Sequence, residues 1–168
     1  MFSFSFHGKM VENKKESNGR VLALYFVDRN KIEETLKFME GQLSLFQEQK
    51  SFETALEQAA LERIAHTVIE SMLDVGNAMI DGFIMRDPGS YEDIIDILDD
   101  EKVISKEMTS SLKVMVGLRK MLVQQYIAVD HQEIKQAMEA HVASMQQFPE
   151  KVRQYLINEL GPVSAFLP

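Results

Sequence analysis

From Thr54 to about Met85 the chain places apolar side chains on most sides of a helical path and offers no proline to interrupt it: Leu61, Ile64, Val68, Ile69, Met72, Leu73, Val75, Met79 and Ile80. A helix apolar around most of its circumference cannot rest on a surface. It needs neighbours on several sides, which the middle of a helical bundle supplies. Thr54 with Glu57 three residues later is a capping-box start for this helix. Gly76 is unfavourable inside it, so close approach of a neighbouring helix is expected there.

The flanking segments carry narrower stripes. Ile32, Leu36, Met39, Leu43 and Phe46 step by 4, 3, 4 and 3 behind an Asp28 N-cap, with Val27 spaced to staple onto Ile32. Asp87-Pro88-Gly89 reads as a turn, and Ser90 with Asp93 opens a short helix bearing Tyr91, Ile94, Ile95 and Leu98. Ser105 can cap a helix from about Lys106 to Tyr126. Asp130 and Glu133 form a capping box for the last helix, with Val129 spaced to staple onto Ile134. Its stripe of Ile134, Met138, His141, Met145, Phe148, Val152 and Tyr155 keeps phase through Pro149, which predicts a kink and not a break. Gly161-Pro162 then stops it. Nothing alternates with period two. The expected fold is all-α, an up-and-down bundle of four long helices and one short one over residues 25–168. Residues 1–24 begin with Phe2, Phe4 and Phe6 between serines, continue polar to Arg20, and lack a signal-peptide core. They read as a disordered or mis-started tail.

Composition removes several functions. Without cysteine there is no disulfide, thiolate zinc site or cysteine nucleophile. A net charge of −8 and a pI near 5.0 repel phosphate backbones at long range, so no DNA binding is expected, while a small basic cleft for RNA stays open. No run is long and apolar enough to span a membrane, and a cytoplasmic location is expected. Phosphate-loop, dinucleotide and Gly-x-Ser-x-Gly motifs are missing, and no cofactor is expected.

The polar residues on apolar helices have competing readings. Arg63, Glu70, Asp74, Asn77 and Asp81, spaced by 7, 4, 3 and 4, are either a solvated strip or a seam facing a cleft or partner chain. His66 and Glu70, one turn apart, are a weak metal pair. No Glu-x-x-His pair accompanies them, so no metal is expected. His141 on the core stripe reads as a hydrogen-bonded structural histidine. The acidic run from Glu92 to Glu101 lacks calcium-loop spacing and reads as a solvated face.

The fourth helix reads Gly117-Leu118-Arg119-Lys120-Met121-Leu122-Val123-Gln124-Gln125-Tyr126. Arg119 and Tyr126, seven residues apart, would share a helix face. Arg119 either pairs with the acidic seam of the second helix or holds an RNA phosphate while Tyr126 stacks on a base. Together with the Asp74-Val75-Gly76-Asn77 run, the Asp87 to Tyr91 turn and the Gly161 to Phe166 ending, this stretch resembles the HepT-like branch of the HEPN superfamily, from about residue 25 onward. The branch's signature is arginine, a polar residue, three more residues, histidine, any residue, tyrosine.

The resemblance implies a helical homodimer with two motifs in a shared cleft, metal-independent endoribonuclease activity, and a toxin role. An MntA-like nucleotidyltransferase antitoxin would act by adding AMP to the motif tyrosine. By position, Arg119 would stabilise the scissile phosphate, Lys120 and Tyr126 would contact RNA, and Tyr126 would accept AMP. Gln124 occupies the histidine position and Lys120 replaces the usual asparagine. An amide cannot serve as general acid or base, and losing such a group forfeits about 10² to 10⁴ in rate. The sequence therefore leaves three functions open: an RNA-binding dimer with weakened or lost nuclease activity, an active ribonuclease toxin, and a non-enzymatic regulatory dimer. His131 lies beyond the expected helix end and is not assigned a catalytic role.

Overall fold

The computed structural model describes residues 28–160, all of whose regular elements are helices: α1 (Arg29–Glu48), α2 (Ala55–Gly82), α3 (Tyr91–Asp100), α4 (Lys106–Gly117), α5 (Arg119–Gln124) and α6 (His131–Leu160). The N-terminal tail, Val27 and the Gly161-Pro162 stop lie outside the described residues. The fold is an up-and-down bundle. Arg153 meets Glu33 and Glu40 while Gln146 meets Gln47, so α6 runs antiparallel to α1. Thr67 faces Gln42 across the α1–α2 contact. Glu62 meets His131 at one end of α2 and Phe83 meets Tyr155 at the other, so α2 and α6 run parallel.

The central position of α2 follows from its composition. It packs against α1, α3, α5 and α6, and buries Leu61, Val68, Ile69, Met72 and Met79 among others. Gly76 lets α3 come close, because a Cβ there would sit 2.5 Å from Ile94 Cγ2. The α1 stripe Ile32, Leu36, Met39, Leu43 and Phe46 is buried throughout. Along α6 the expected positions are buried except His141 and Tyr155, which are half-buried. His141 makes no hydrogen bond among the described residues, which corrects the structural role expected for it. α6 continues through the buried Pro149 without a break.

Most helix starts use the expected chemistry. Asp28 accepts the Lys31 N–H at 2.9 Å, and Thr54 with Glu57 forms the reciprocal capping box. Ser90 accepts the Asp93 N–H at 3.1 Å. Ser105 makes no side-chain cap bond. Asp130 accepts the N–H groups of Gln132 and Glu133, but its own N–H donates to Met121 Sδ, so only half of that box forms.

Two helix ends differ from expectation. α2 stops at Gly82, short of Met85, because Ile84 turns left-handed (φ 55°) and the Met85 N–H reaches back to the Ile80 carbonyl. Lys102 (φ 63°) closes α3 in the same way, with the Val103 N–H on Leu98. Both are left-handed helix stops, and at Lys102 the second bond of a Schellman turn, from its N–H to the Asp99 carbonyl, is made as well. The expected helix from Lys106 to Tyr126 is broken at Leu118, where α4 gives way to the short α5, and it ends at Gln124. No described helix is long and apolar enough to cross a membrane.

Candidate functional site

α5 is short because its carbonyls are taken early. The Gln125 N–H bonds both Lys120 and Met121, and Ala128 turns back onto Gln125. Tyr126 therefore lies in the turn after the helix, 66% exposed, and does not share a helix face with Arg119. Lys120 and Gln124 are exposed as well.

Arg119, at the first position of α5, points inward to α2. Its Nε donates to Glu70 Oε1 at 2.6 Å, with a longer Nη2 contact of 3.5 Å to Oε2. The guanidinium lies over the Tyr91 ring, 4.1 Å from its centroid, and the side chain is 17% exposed. Ion pair and ring stack together fix the plane of the fork. Nη1 makes no hydrogen bond among the described residues, and 17% of the side chain stays exposed.

Glu70 has a second neighbour. His66, one turn earlier, places Nε2 3.6 Å from the same Oε1. One turn before that, Glu62 Oε1 lies 2.6 Å from His131 Nε2 at the start of α6. Glu62, His66 and Glu70 thus form a polar row with i, i+4 spacing along α2, facing α5 and α6. In the sequence, the i, i+4 spacing of Glu62, His66 and Glu70 is the signal for this row beyond a weak His66–Glu70 metal pair, and no local pattern marks Tyr91 as a partner of Arg119. No cluster of three or more acidic or histidine side chains among the described residues could hold a metal.

The expected seam divides. Arg63, Glu70 and Asp74 line a groove of about 270 Å³ between α1 and α2, opposite Lys31, Glu34 and the exposed Phe38. Asn77 and Asp81 lie outside it. Restricted solvation, helped by repulsion from Glu70, raises the Asp74 carboxyl above its ordinary range. The acidic run on α3 is partly consumed by ion pairs, Arg86 with Asp93 and Lys113 with Asp96. Another recess, about 210 Å³, lies between the start of α4 and the end of α6. Lys102 and Lys151 line it, with no carboxylate or histidine.

The bundle thus carries a partly buried arginine at the head of a short helix and an exposed tyrosine in the turn after it. Residues 30–152 match the family described as ribonuclease HepT-like, and the chain belongs to that family. A Bacillus subtilis protein described as putative RNase YutE is 54% identical over 143 residues, 85% of this chain and 99% of the relative. A solved structure of YutE, described there as a cytosolic protein of unknown function, superposes with a TM-score of 0.82 over 84% of this chain and 99% of its own. A tri-AMPylated HEPN toxin of Shewanella oneidensis, in complex with an MNT antitoxin, shares the fold at 19% identity, with a TM-score of 0.63 over 74% of this chain and 96% of its own.

Proposed function

We propose that this protein is a cytoplasmic HepT-like homodimer that binds RNA at Arg119, Lys120 and Tyr126, with the motif's own nuclease step weakened by Gln124. The observation that carries this reading is the Arg119 fork, held flat by Glu70 and Tyr91 and still 17% exposed, with no protein partner for Nη1 among the described residues. A planar, preoriented donor suits a phosphate oxygen better than a mobile side chain does. Lys120 adds an adjacent positive charge, and the exposed Tyr126 ring is free to stack on an unpaired base. Exposure also suits Tyr126 as an AMP acceptor, and the toxin–antitoxin complex of the Shewanella relative supports a nucleotidyltransferase partner.

Filter binding with single-stranded RNA tests the reading. Arg119→Glu is expected to weaken binding tenfold or more and Tyr126→Ala severalfold, with the melting temperature measured for each. Gln124→His is expected to raise metal-independent cleavage. Unchanged binding in both Arg119→Glu and Tyr126→Ala would remove the RNA site. The competing reading, a regulatory dimer without RNA, is favoured by the internal neutralisation of Arg119 by Glu70, and it predicts that insensitivity.

A further inference from the structure

We propose that His66 performs the proton transfer that Gln124 cannot, as the general base for residual cleavage of RNA bound at Arg119. The inference rests on the RNA-binding reading above. Both His66 Nε2 and Arg119 Nε contact one atom, Glu70 Oε1, at 3.6 and 2.6 Å, so the two nitrogens lie within about 6 Å of each other. The imidazole and the guanidinium therefore flank the same carboxylate, and His66 is the nearest histidine to the arginine through that shared oxygen. His66 is also reachable, with a third of its side chain exposed.

The tautomer fits the task. A carboxylate 3.6 Å from Nε2, an ion-pair contact longer than a hydrogen bond, favours a proton on that side of the ring by its charge, which leaves Nδ1 as the lone-pair base. Nδ1 makes no hydrogen bond among the described residues. Nucleophile, base and orienting carboxylate is a recurrent logic of proton-transfer sites. Here Glu70 hydrogen-bonds the arginine and places its charge beside the base. His131 is placed differently: Glu62 engages its Nε2 directly, one helical turn further from Glu70. It serves as the control.

The step balances without an added reagent. Nδ1 of His66 takes the proton from a ribose 2′-hydroxyl as O2′ forms a bond to phosphorus. The bond from phosphorus to O5′ breaks, and the departing oxygen takes a proton from water. The imidazolium returns its proton to the hydroxide left behind. The products are a 2′,3′-cyclic phosphate and a 5′-hydroxyl, with no metal in the balance.

The test uses the full-length protein, a fluorescent single-stranded RNA and EDTA. The wild type is expected to cleave slowly. His66→Ala should lower kcat by about 10²-fold or more while RNA affinity and melting temperature stay near the wild-type values. Imidazole added to His66→Ala should restore part of the rate, which a purely structural role would not allow. His131→Ala should stay within about threefold. His66→Gln, closer in size, gives the same reading if the alanine variant folds poorly. A substrate with a 2′-deoxy sugar at the cut should resist. Cleavage unchanged in both His66 variants overturns the proposal, and so does a wild type that binds RNA but does not cut it. In that last case the RNA-binding reading survives, whereas failure to bind RNA at all removes that reading and the proposal together.

Discussion

Gly76 and Gly117 show how one substitution changes sign with its surroundings. Replacing either by alanine removes the conformational cost of glycine in a helix, worth up to about 1 kcal/mol. At Gly117 a new Cβ meets nothing within 4 Å, so Gly117→Ala is expected to stabilise the fold by roughly 0.5–1 kcal/mol. At Gly76 the Cβ would collide with Ile94 Cγ2, and overpacking of about 1–3 kcal/mol outweighs the gain. Urea melts of the two variants should move in opposite directions. Arg119 is a case where residue type alone could not decide: an arginine serves equally well in an internal pair or on a ligand. Its neighbours Glu70 and Tyr91 hold the fork and leave 17% of the side chain exposed.

At the scale of elements, periodicity was enough for the helices and their buried faces, and capping residues were enough for most starts. Ends were harder. Neither left-handed stop contains glycine, the residue that usually marks one. Ile84 is β-branched and 67% exposed in this conformation, so it loses little burial if replaced. Ile84→Gly is expected to raise stability by about 1 kcal/mol, read as a higher denaturation midpoint with an unchanged slope. The end of α5 at Gln124 places Tyr126 in a turn, so Arg119 and Tyr126 are positioned by different backbone geometry.

For the whole molecule, acid should act through identifiable carboxylates. The bond from Arg153, with its charge, holds Glu33 below the ordinary carboxylate range, and Arg86 with the Gly89 N–H holds Asp93 down to about 2. Both groups stabilise the fold above their unfolded values near 4 and lose that contribution as pH falls through their lower folded values. Asp74 runs the other way, since its raised carboxyl penalises the folded state as pH climbs past its ordinary 3.8. Arg153→Ala should therefore flatten the loss of melting temperature below pH 5, and Asp74→Asn should raise it at pH 7. Light scattering at micromolar concentration is expected to give twice the 19.2 kDa chain mass, and a monomer would remove the shared cleft.

The sequence by itself determined that the chain folds as a bundle, with α2 in the middle and Gly76 against a neighbouring helix. These depend on local spacing and on apolar area, which a linear pattern records. It also singled out Arg119 as either an internal ion-pair partner or a ligand contact. Only the tertiary structure decided that Arg119 turns toward Glu70 and Tyr91, that Tyr126 stands outside the helix, and that His66 shares a carboxylate oxygen with the arginine. Such contacts join residues as far apart as 49 positions in the chain. They arise from how helices pack against one another, which the periodicity of a single helix does not encode.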